Sequence, residues 1–74
     1  MIDREVFRIK TTIENDENFK NIKNVEAFSE KIYKVYWNKK DIVYEIKKAG
    51  LWVYNNPKRK KKNWGRFLSN WLGR

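Results

Sequence analysis

The amino-acid sequence predicts an all-α fold, a small bundle of three to four short helices. Four segments carry apolar residues at intervals of three and four, the spacing that gathers them on one face of an α-helix. Residues suited to helix N-caps precede three of these segments, namely Asn24, Asp41 and Asn63. The connections are brief, so the bundle is expected to form a single domain over residues 1–74.

The first segment, about 3–14, fits two patterns. A helical face would consist of Ile2, Val6, Ile9 and Ile13. A strand face would consist of Phe7, Ile9, Thr11 and Ile13. The length of the segment and its charged opening favour the helix, with Asp3 available as its cap. Residues 15–24 are rich in Asn and Lys and predict a connection, with one irregular turn around Phe19 and Ile22.

A second helix is predicted over 25–37 and a third over 41–55. The apolar face of the second comprises Val25, Phe28, Ile32, Val35 and Tyr36. The apolar positions of the third are Ile42, Val43, Ile46, Ala49, Leu51 and Val53. Gly50 costs about 1 kcal/mol relative to Ala inside a helix, so it suggests the close approach of another helix. Pro57 biases Asn56 away from α geometry and ends the third helix.

The last helix is predicted over 63–72, after a basic connection at 56–63. Its apolar stripe consists of Trp64, Phe67, Leu68, Trp71 and Leu72. A chain of this size has a small core, which usually supplies only ~3–5 kcal/mol of stability. Four Trp, four Tyr and four Phe compensate, because each such ring buries roughly 150–250 Å². We therefore expect a compact protein.

The net charge of +9 is distributed unevenly along the chain. Residues 1–37 hold seven acidic and seven basic residues, whereas residues 38–74 hold eleven basic residues against Asp41 and Glu45. All of the excess charge lies in the second half. Such asymmetry indicates a polyanionic partner more strongly than a high isoelectric point alone.

Composition also argues against several classes of protein. The chain has no His and no Cys, so it offers neither the usual zinc ligands nor a His-activated nucleophile, and we expect no enzyme, no metal and no cofactor. The adjacent carboxylates Asp16 and Glu17 fall in a polar connection and are expected to be solvated. No apolar stretch approaches the ~20 residues of a membrane span, and no signal peptide follows Met1. A cytoplasmic protein without membrane contact is the expectation.

The five consecutive cations Lys58–Lys62 are the strongest candidate for a functional site. One interpretation is a solvated loop that maintains solubility. The other is a phosphate-binding segment, supported by Arg66 and Arg74 on one side and by Lys47 and Lys48 on the other. The predicted nucleic-acid-binding set is thus Lys47, Lys48, Lys58, Arg59, Lys60, Lys61, Lys62, Arg66 and Arg74. Lysine-rich runs hold the backbone without recognising bases, so such binding would be largely independent of sequence.

The aromatic residues Trp52, Trp64, Phe67 and Trp71 are either core or partner-binding residues. The core interpretation is favoured for a chain this small, and base stacking or a protein hot spot are the alternatives. The chain has more aromatic residues than a small core readily hides. At least one of Trp37, Trp52 and Tyr54 is therefore expected to be partly exposed.

Residues 49–74 also carry a combined pattern. A helix with Trp52 is followed by Asn56-Pro57, the cluster Lys58–Lys62 and an ending built around Arg66-Phe67 and Trp71-Leu72. The pattern resembles the C-terminal tail module of phage and prophage replication proteins of the replisome-organiser or helicase-loading type. The match covers about a third of the chain. The resemblance implies a phage origin and a link to single-stranded DNA or to the helicase machinery.

Two functional hypotheses follow from these observations. The first is a small non-catalytic nucleic-acid-binding accessory protein, phage-encoded and linked to DNA replication, that contacts phosphates through its basic loop. The second is a phage-encoded inhibitor that binds a protein component of a host nucleoprotein enzyme, in replication or in anti-phage defence. The preference for DNA or RNA, the strandedness and the oligomeric state stay open.

Overall fold

A computed structural model describes residues 4–59 and 63–73 of the chain and confirms the all-α fold. Within these residues there are four α-helices and no strand. Helix α1 spans Arg4–Glu14, α2 spans Val25–Tyr36, α3 spans Ile42–Asn55 and α4 spans Trp64–Leu72. Two short 3₁₀ turns, Phe19–Asn21 and Pro57–Arg59, lie in the connections. The helical alternative for the first segment is therefore correct, and Asp3 lies outside the described residues.

The three predicted N-caps are confirmed. The side chains of Asn24, Asp41 and Asn63 each accept a hydrogen bond from the backbone N–H three residues later, at 3.3, 3.2 and 3.0 Å. Each bond satisfies an amide that the first helical turn would otherwise leave unpaired. Asn24 does so in the left-handed region, with φ of 52°, which Asn tolerates better than most residues.

Helix α1 packs on α2 and α3, and α4 packs on α3, on α2 and on the Phe19–Asn21 turn. The predicted irregular turn is thereby confirmed, and it contributes to the core. The largest fully enclosed side chains are Ile9, Ile13, Phe19, Ser29, Ile46, Leu68 and Leu72. The Ser29 hydroxyl donates to the Val25 carbonyl at 2.8 Å, which satisfies it inside the core.

Two predicted core positions are wrong. Val35 is exposed on α2, and Leu51 is 61% exposed on α3. At about 100° per residue, Leu51 falls roughly 160° from Ala49 and 160° from Val53, both buried on the core side. Apolar character alone therefore misassigned Leu51. The prediction that at least one of three aromatic residues is exposed is confirmed by Trp37 at 61% and Tyr54 at 81%.

The expectation that Gly50 allows another helix to approach is also wrong. A Cβ on Gly50 would lie 2.5 Å from Oδ2 of Asp16, in the connection between α1 and α2. The other oxygen of that carboxylate accepts the backbone N–H groups of Asn18 and Phe19, at 2.8 and 3.0 Å. Asp16 is therefore a half-buried cap of the 3₁₀ turn, and Gly50 leaves room for it.

Candidate nucleic-acid interface

The structure divides the predicted nucleic-acid-binding cations between two surfaces. Arg66 lies in the first turn of α4, whereas Lys47 and Lys48 are exposed on α3. Lys58 is exposed in the Pro57–Arg59 turn. The remaining predicted residues, Lys60, Lys61, Lys62, Arg74 and the side chain of Arg59, lie outside what the structure describes.

Arg66 belongs to a groove of about 760 Å³ at the α2–α4 contact, hereafter the α2–α4 groove. Lys23 precedes α2 and Lys31 lies in its second turn, so three cations from different parts of the chain line one concavity. Uncharged residues complete the lining: Asn21, Ile22, Phe28, Asn63, Trp64, Gly65 and Ser69. Asn63, which lines the groove, is the residue that directly follows the basic run Lys58–Lys62 in the sequence.

The groove is positively charged without local compensation. No Asp or Glu stands among its described lining residues, and within 4–59 and 63–73 none of its three cations forms an ion pair. The acidic residues of α2 lie elsewhere on the helix surface. At about 100° per residue, Glu30 is roughly 100° and Glu26 roughly 140° around the helix axis from Lys31. The groove can therefore attract an anion without displacing a carboxylate.

Two aromatic rings line the groove together with the cations. Phe28 and Trp64 both line it, and both are half-buried. The Trp64 ring packs edge-to-face on the buried Phe19, with centroids 5.8 Å apart, and on Phe67, also at 5.8 Å. These contacts fix the orientation of the indole, while part of its surface stays accessible. The arrangement combines positive charge with a preformed aromatic surface.

The other aromatic candidates form a continuous cluster with Phe67 at its centre. Phe67 lies 6.1 Å from Phe19, 5.8 Å from Trp52 and 5.9 Å from Trp71, measured between ring centroids. All four candidates, Trp52, Trp64, Phe67 and Trp71, are half-buried and pack against the core. They thus contribute to the stability of the fold and retain accessible surface at its edge.

Lys47 and Lys48 occupy a different chemical setting, the solvent-facing side of α3. This surface, hereafter the outer α3 face, consists of Tyr44, Lys47, Lys48, Leu51 and Tyr54, all exposed. Here Lys48 has neighbours that compete with a ligand for its charge. The Lys48 ammonium lies 3.2 Å from Oε2 of Glu45 and 5.0 Å from the centre of the Tyr44 ring. The other oxygen of Glu45 accepts the indole N–H of Trp71 at 3.2 Å.

Lys23 and Lys31 were absent from the predicted set. Both lie in the half of the chain whose net charge is zero, so the charge pattern gave no reason to select them. They join Arg66 only because α4 packs beside the start of α2, a contact between residues about 40 positions apart. The one local indication was the basic and aromatic mixture Ile22-Lys23 and Phe28 to Lys31, which is too common to be specific.

Among the helices that the structure describes, none combines the length and the apolar character needed to cross a bilayer. Comparison of the chain with protein-family models, with curated proteins and with solved structures found no match. The resemblance of residues 49–74 to phage replication tails stays a prediction from the sequence.

Proposed function

We propose that this protein is a small non-catalytic nucleic-acid-binding accessory protein that holds a phosphate backbone in the α2–α4 groove. The observation that carries the proposal is the groove itself, where Lys23, Lys31 and Arg66 share one concavity with two aromatic rings and no carboxylate is found among the described lining residues. Each cation that replaces a condensed counterion on a nucleic acid releases it to the solvent. Binding driven in this way is strong at low salt and weakens as salt rises.

The aromatic surface favours a single-stranded ligand. Stacking of a base on an aromatic side chain contributes about 1–3 kcal/mol and requires a base that is free of its complement. Trp64 and Phe28 offer such a surface within the same concavity as the cations. A duplex presents its phosphates but hides its bases, so it would use only half of what the groove offers. We expect weak discrimination between base sequences, because lysine contacts with phosphates and stacking on aromatic rings carry little information about the base.

The replication setting rests on the sequence resemblance alone. The tail modules that residues 49–74 resemble are associated with single-stranded DNA or with the helicase machinery, and they belong to phage and prophage proteins. The groove lies where the basic run of that element ends, at Asn63. A phage-encoded replication accessory protein that holds single strands is the function that combines these observations. Lys58–Lys62 would extend the phosphate contacts beyond the groove.

The competing hypothesis, a phage-encoded protein-interaction inhibitor, is supported by a different surface. The outer α3 face exposes Leu51 and two tyrosines beside a paired lysine. These features suit a protein partner better than a phosphate. The two hypotheses thus concern separate surfaces of one molecule.

The test compares two double substitutions that remove the same charge. Lys23→Gln with Lys31→Gln alters the groove, and Lys47→Gln with Lys48→Gln alters the outer α3 face. Affinity for a single-stranded oligonucleotide and for a duplex with the same number of phosphates is measured by fluorescence anisotropy over a range of salt concentrations. We expect the groove variant to lose about tenfold or more in affinity and its salt slope to fall by roughly 1.4 on single strands.

The outer-face variant is expected to lose no more than about threefold, the general effect of a lower net charge. Circular dichroism checks that both variants keep the wild-type helix content. Equal losses in the two variants would reject the groove as the binding site. Wild-type affinity that does not respond to salt would reject nucleic-acid binding through phosphates altogether.

A further inference from the structure

The outer α3 face has a surface shape that the proposed nucleic-acid function does not use. Leu51, 61% exposed, lies between two hollows and lines both of them. One hollow, of about 440 Å³, lies between α3 and the end of α1 with the connection that follows it, and its other lining residues are Thr12, Asn15, Asp16, Ile46, Lys47 and Gly50. The other, of about 420 Å³, is shared with Lys48, Trp52 and Trp71. A central leucine with a depression on either side is a shape into which the side chains of a helix can interlock.

The second hollow has the composition of a protein-binding hot spot. Two half-buried indoles, Trp52 and Trp71, stand 6.2 Å apart between ring centroids and form its aromatic wall. Tryptophan is strongly enriched among the residues that dominate the binding energy of protein interfaces. The Trp71 N–H is held by Glu45 and the Trp52 ring by Phe67, so the wall is already fixed in place. A preformed pocket of this kind avoids the entropic cost of ordering side chains on binding.

The charges around the two hollows determine the chemistry of the partner. Lys47 borders the first hollow and Lys48 the second, so each is flanked by one lysine. Two carboxylates lie beside the hollows, and both are half-buried. Asp16 lines the first hollow and accepts two backbone N–H groups, whereas Glu45 is bound to Lys48 and Trp71. The exposed charge of this face is therefore positive. A partner that places carboxylates beside its apolar residues would complement it.

We propose that the outer α3 face docks an acidic amphipathic helix of another protein. Two apolar side chains of that helix, one turn or about 6 Å apart along its axis, enter the hollows on either side of Leu51. Carboxylates flanking them pair with Lys47, which forms no ion pair among the described residues. This proposal is independent of nucleic-acid binding in the α2–α4 groove, because the two surfaces share no lining residue.

Two other occupants fit the same face less well. A second copy related by a twofold axis would bring Lys47 and Lys48 of both chains together, on a protein of net charge +9. A nucleic acid presents phosphates and sugars, which offer no apolar side chain to the two hollows. It would also leave the exposed Leu51 without an apolar contact. The positive charge of this face and its exposed apolar surface together favour a protein helix that carries carboxylates.

The probe for this proposal is a library of random 16-residue peptides displayed on yeast, sorted for binding to the full-length protein. A counter-sort against the Leu51→Ala variant removes peptides that bind elsewhere. We expect the retained peptides to share apolar residues four apart with Asp or Glu beside them. A synthetic peptide from this pool should bind Leu51→Ala about tenfold more weakly, and should also lose affinity for the Lys47→Gln, Lys48→Gln variant. Its affinity for Val35→Ala, a matched exposed position on α2, should be unchanged.

Several results would overturn the assignment. These are a library without Leu51-dependent peptides, retained peptides that lack carboxylates, or binding that the groove variant weakens as much as the outer-face variant. Analytical ultracentrifugation supplies a further check, because a dimer that dissociates on Leu51→Ala substitution would assign the face to self-association. A loss of oligonucleotide affinity in Leu51→Ala would assign it to nucleic acid instead. A wild-type protein that binds no oligonucleotide would leave the peptide result intact, so the two proposals fail separately.

Discussion

The α2–α4 groove and the outer α3 face contain similar residues and differ in what surrounds them. Each presents lysines beside aromatic rings. In the groove, no carboxylate lines the concavity and the three cations have no ion-pair partner among the described residues. On the outer α3 face, Glu45 holds Lys48, and an exposed leucine separates two hollows. The first surface suits a polyanion and the second a partly apolar, acidic partner.

This difference shows that lysines next to aromatic residues do not define a ligand by themselves. A cation is available to a ligand only if no carboxylate already pairs with it. The folded structure determines which cations are paired. Glu45 is three residues from Lys48 on the same helix, an arrangement that sequence alone reveals. The unpaired set in the groove comes from α2, from the residue before it and from α4, and only packing brings it together.

The largest expected effect concerns the helix that both surfaces share. Leu68 is fully buried on α4, so Leu68→Ala should destabilise the protein by about 3 kcal/mol through the lost apolar contacts and the cavity left behind. That loss approaches the whole stability of about 3–5 kcal/mol expected for so small a core. Urea denaturation followed by circular dichroism measures the change. Both the oligonucleotide and the peptide should then bind more weakly, because α4 forms part of each site.

The matched control is Leu51→Ala, the same chemical change at an exposed leucine. Its free energy of unfolding should stay within about 0.5 kcal/mol of the wild-type value. The unfolding measurement also shows whether weaker peptide binding by Leu51→Ala comes from a lost contact or from a damaged fold. A destabilisation as large as that of Leu68→Ala would mean that Leu51 is buried in solution and that the outer α3 face does not exist as described.

A second experiment separates the two surfaces by spectroscopy. Incorporation of 5-fluorotryptophan gives one ¹⁹F NMR signal for each of the four tryptophans, assigned by single Trp→Phe substitutions. A single-stranded oligonucleotide should shift the signal of Trp64, which lines the groove, and an acidic peptide should shift that of Trp52, which lines a hollow on the outer α3 face. Trp37 lines neither surface and serves as the internal reference. If one ligand shifts the signals of Trp52 and Trp64 equally, the two surfaces form a single binding site and the distinction between them is wrong.

Much of the fold could be predicted because its determinants are local. The caps Asn24, Asp41 and Asn63 and the terminator Pro57 act within a few residues of themselves, and the helix ends agree with the prediction to within about one residue. The errors occurred where tertiary contacts decide the outcome. Leu51 looks like a core residue by composition, and Gly50 faces a carboxylate from a distant connection.

The candidate site was less accessible to sequence reasoning, for a physical reason. A run such as Lys58–Lys62 is visible in one dimension, whereas Lys23, Lys31 and Arg66 are separated by 8 and 35 positions and form a set only in the folded chain. The charge asymmetry along the sequence points to the second half of the chain, whereas two of the three groove cations come from the neutral half. The packing of the helices determines how charge is distributed over the surface, and the order of charged residues along the sequence only constrains that distribution.

The smallest expected effect is also the most direct test of why the two surfaces differ in their affinity for phosphates. Glu45→Gln removes the carboxylate that holds Lys48, and the amide oxygen can still accept the Trp71 N–H. Because a surface ion pair contributes at most about 1 kcal/mol, we expect oligonucleotide affinity at low salt to rise by about two- to threefold. Glu30→Gln changes the net charge equally at an exposed site outside both surfaces, so it measures the general electrostatic contribution. A larger rise for Glu45→Gln than for Glu30→Gln would show that pairing with Glu45 keeps the outer α3 face from binding phosphates. Equal rises would mean that Lys48 is excluded by its position and not by its partner.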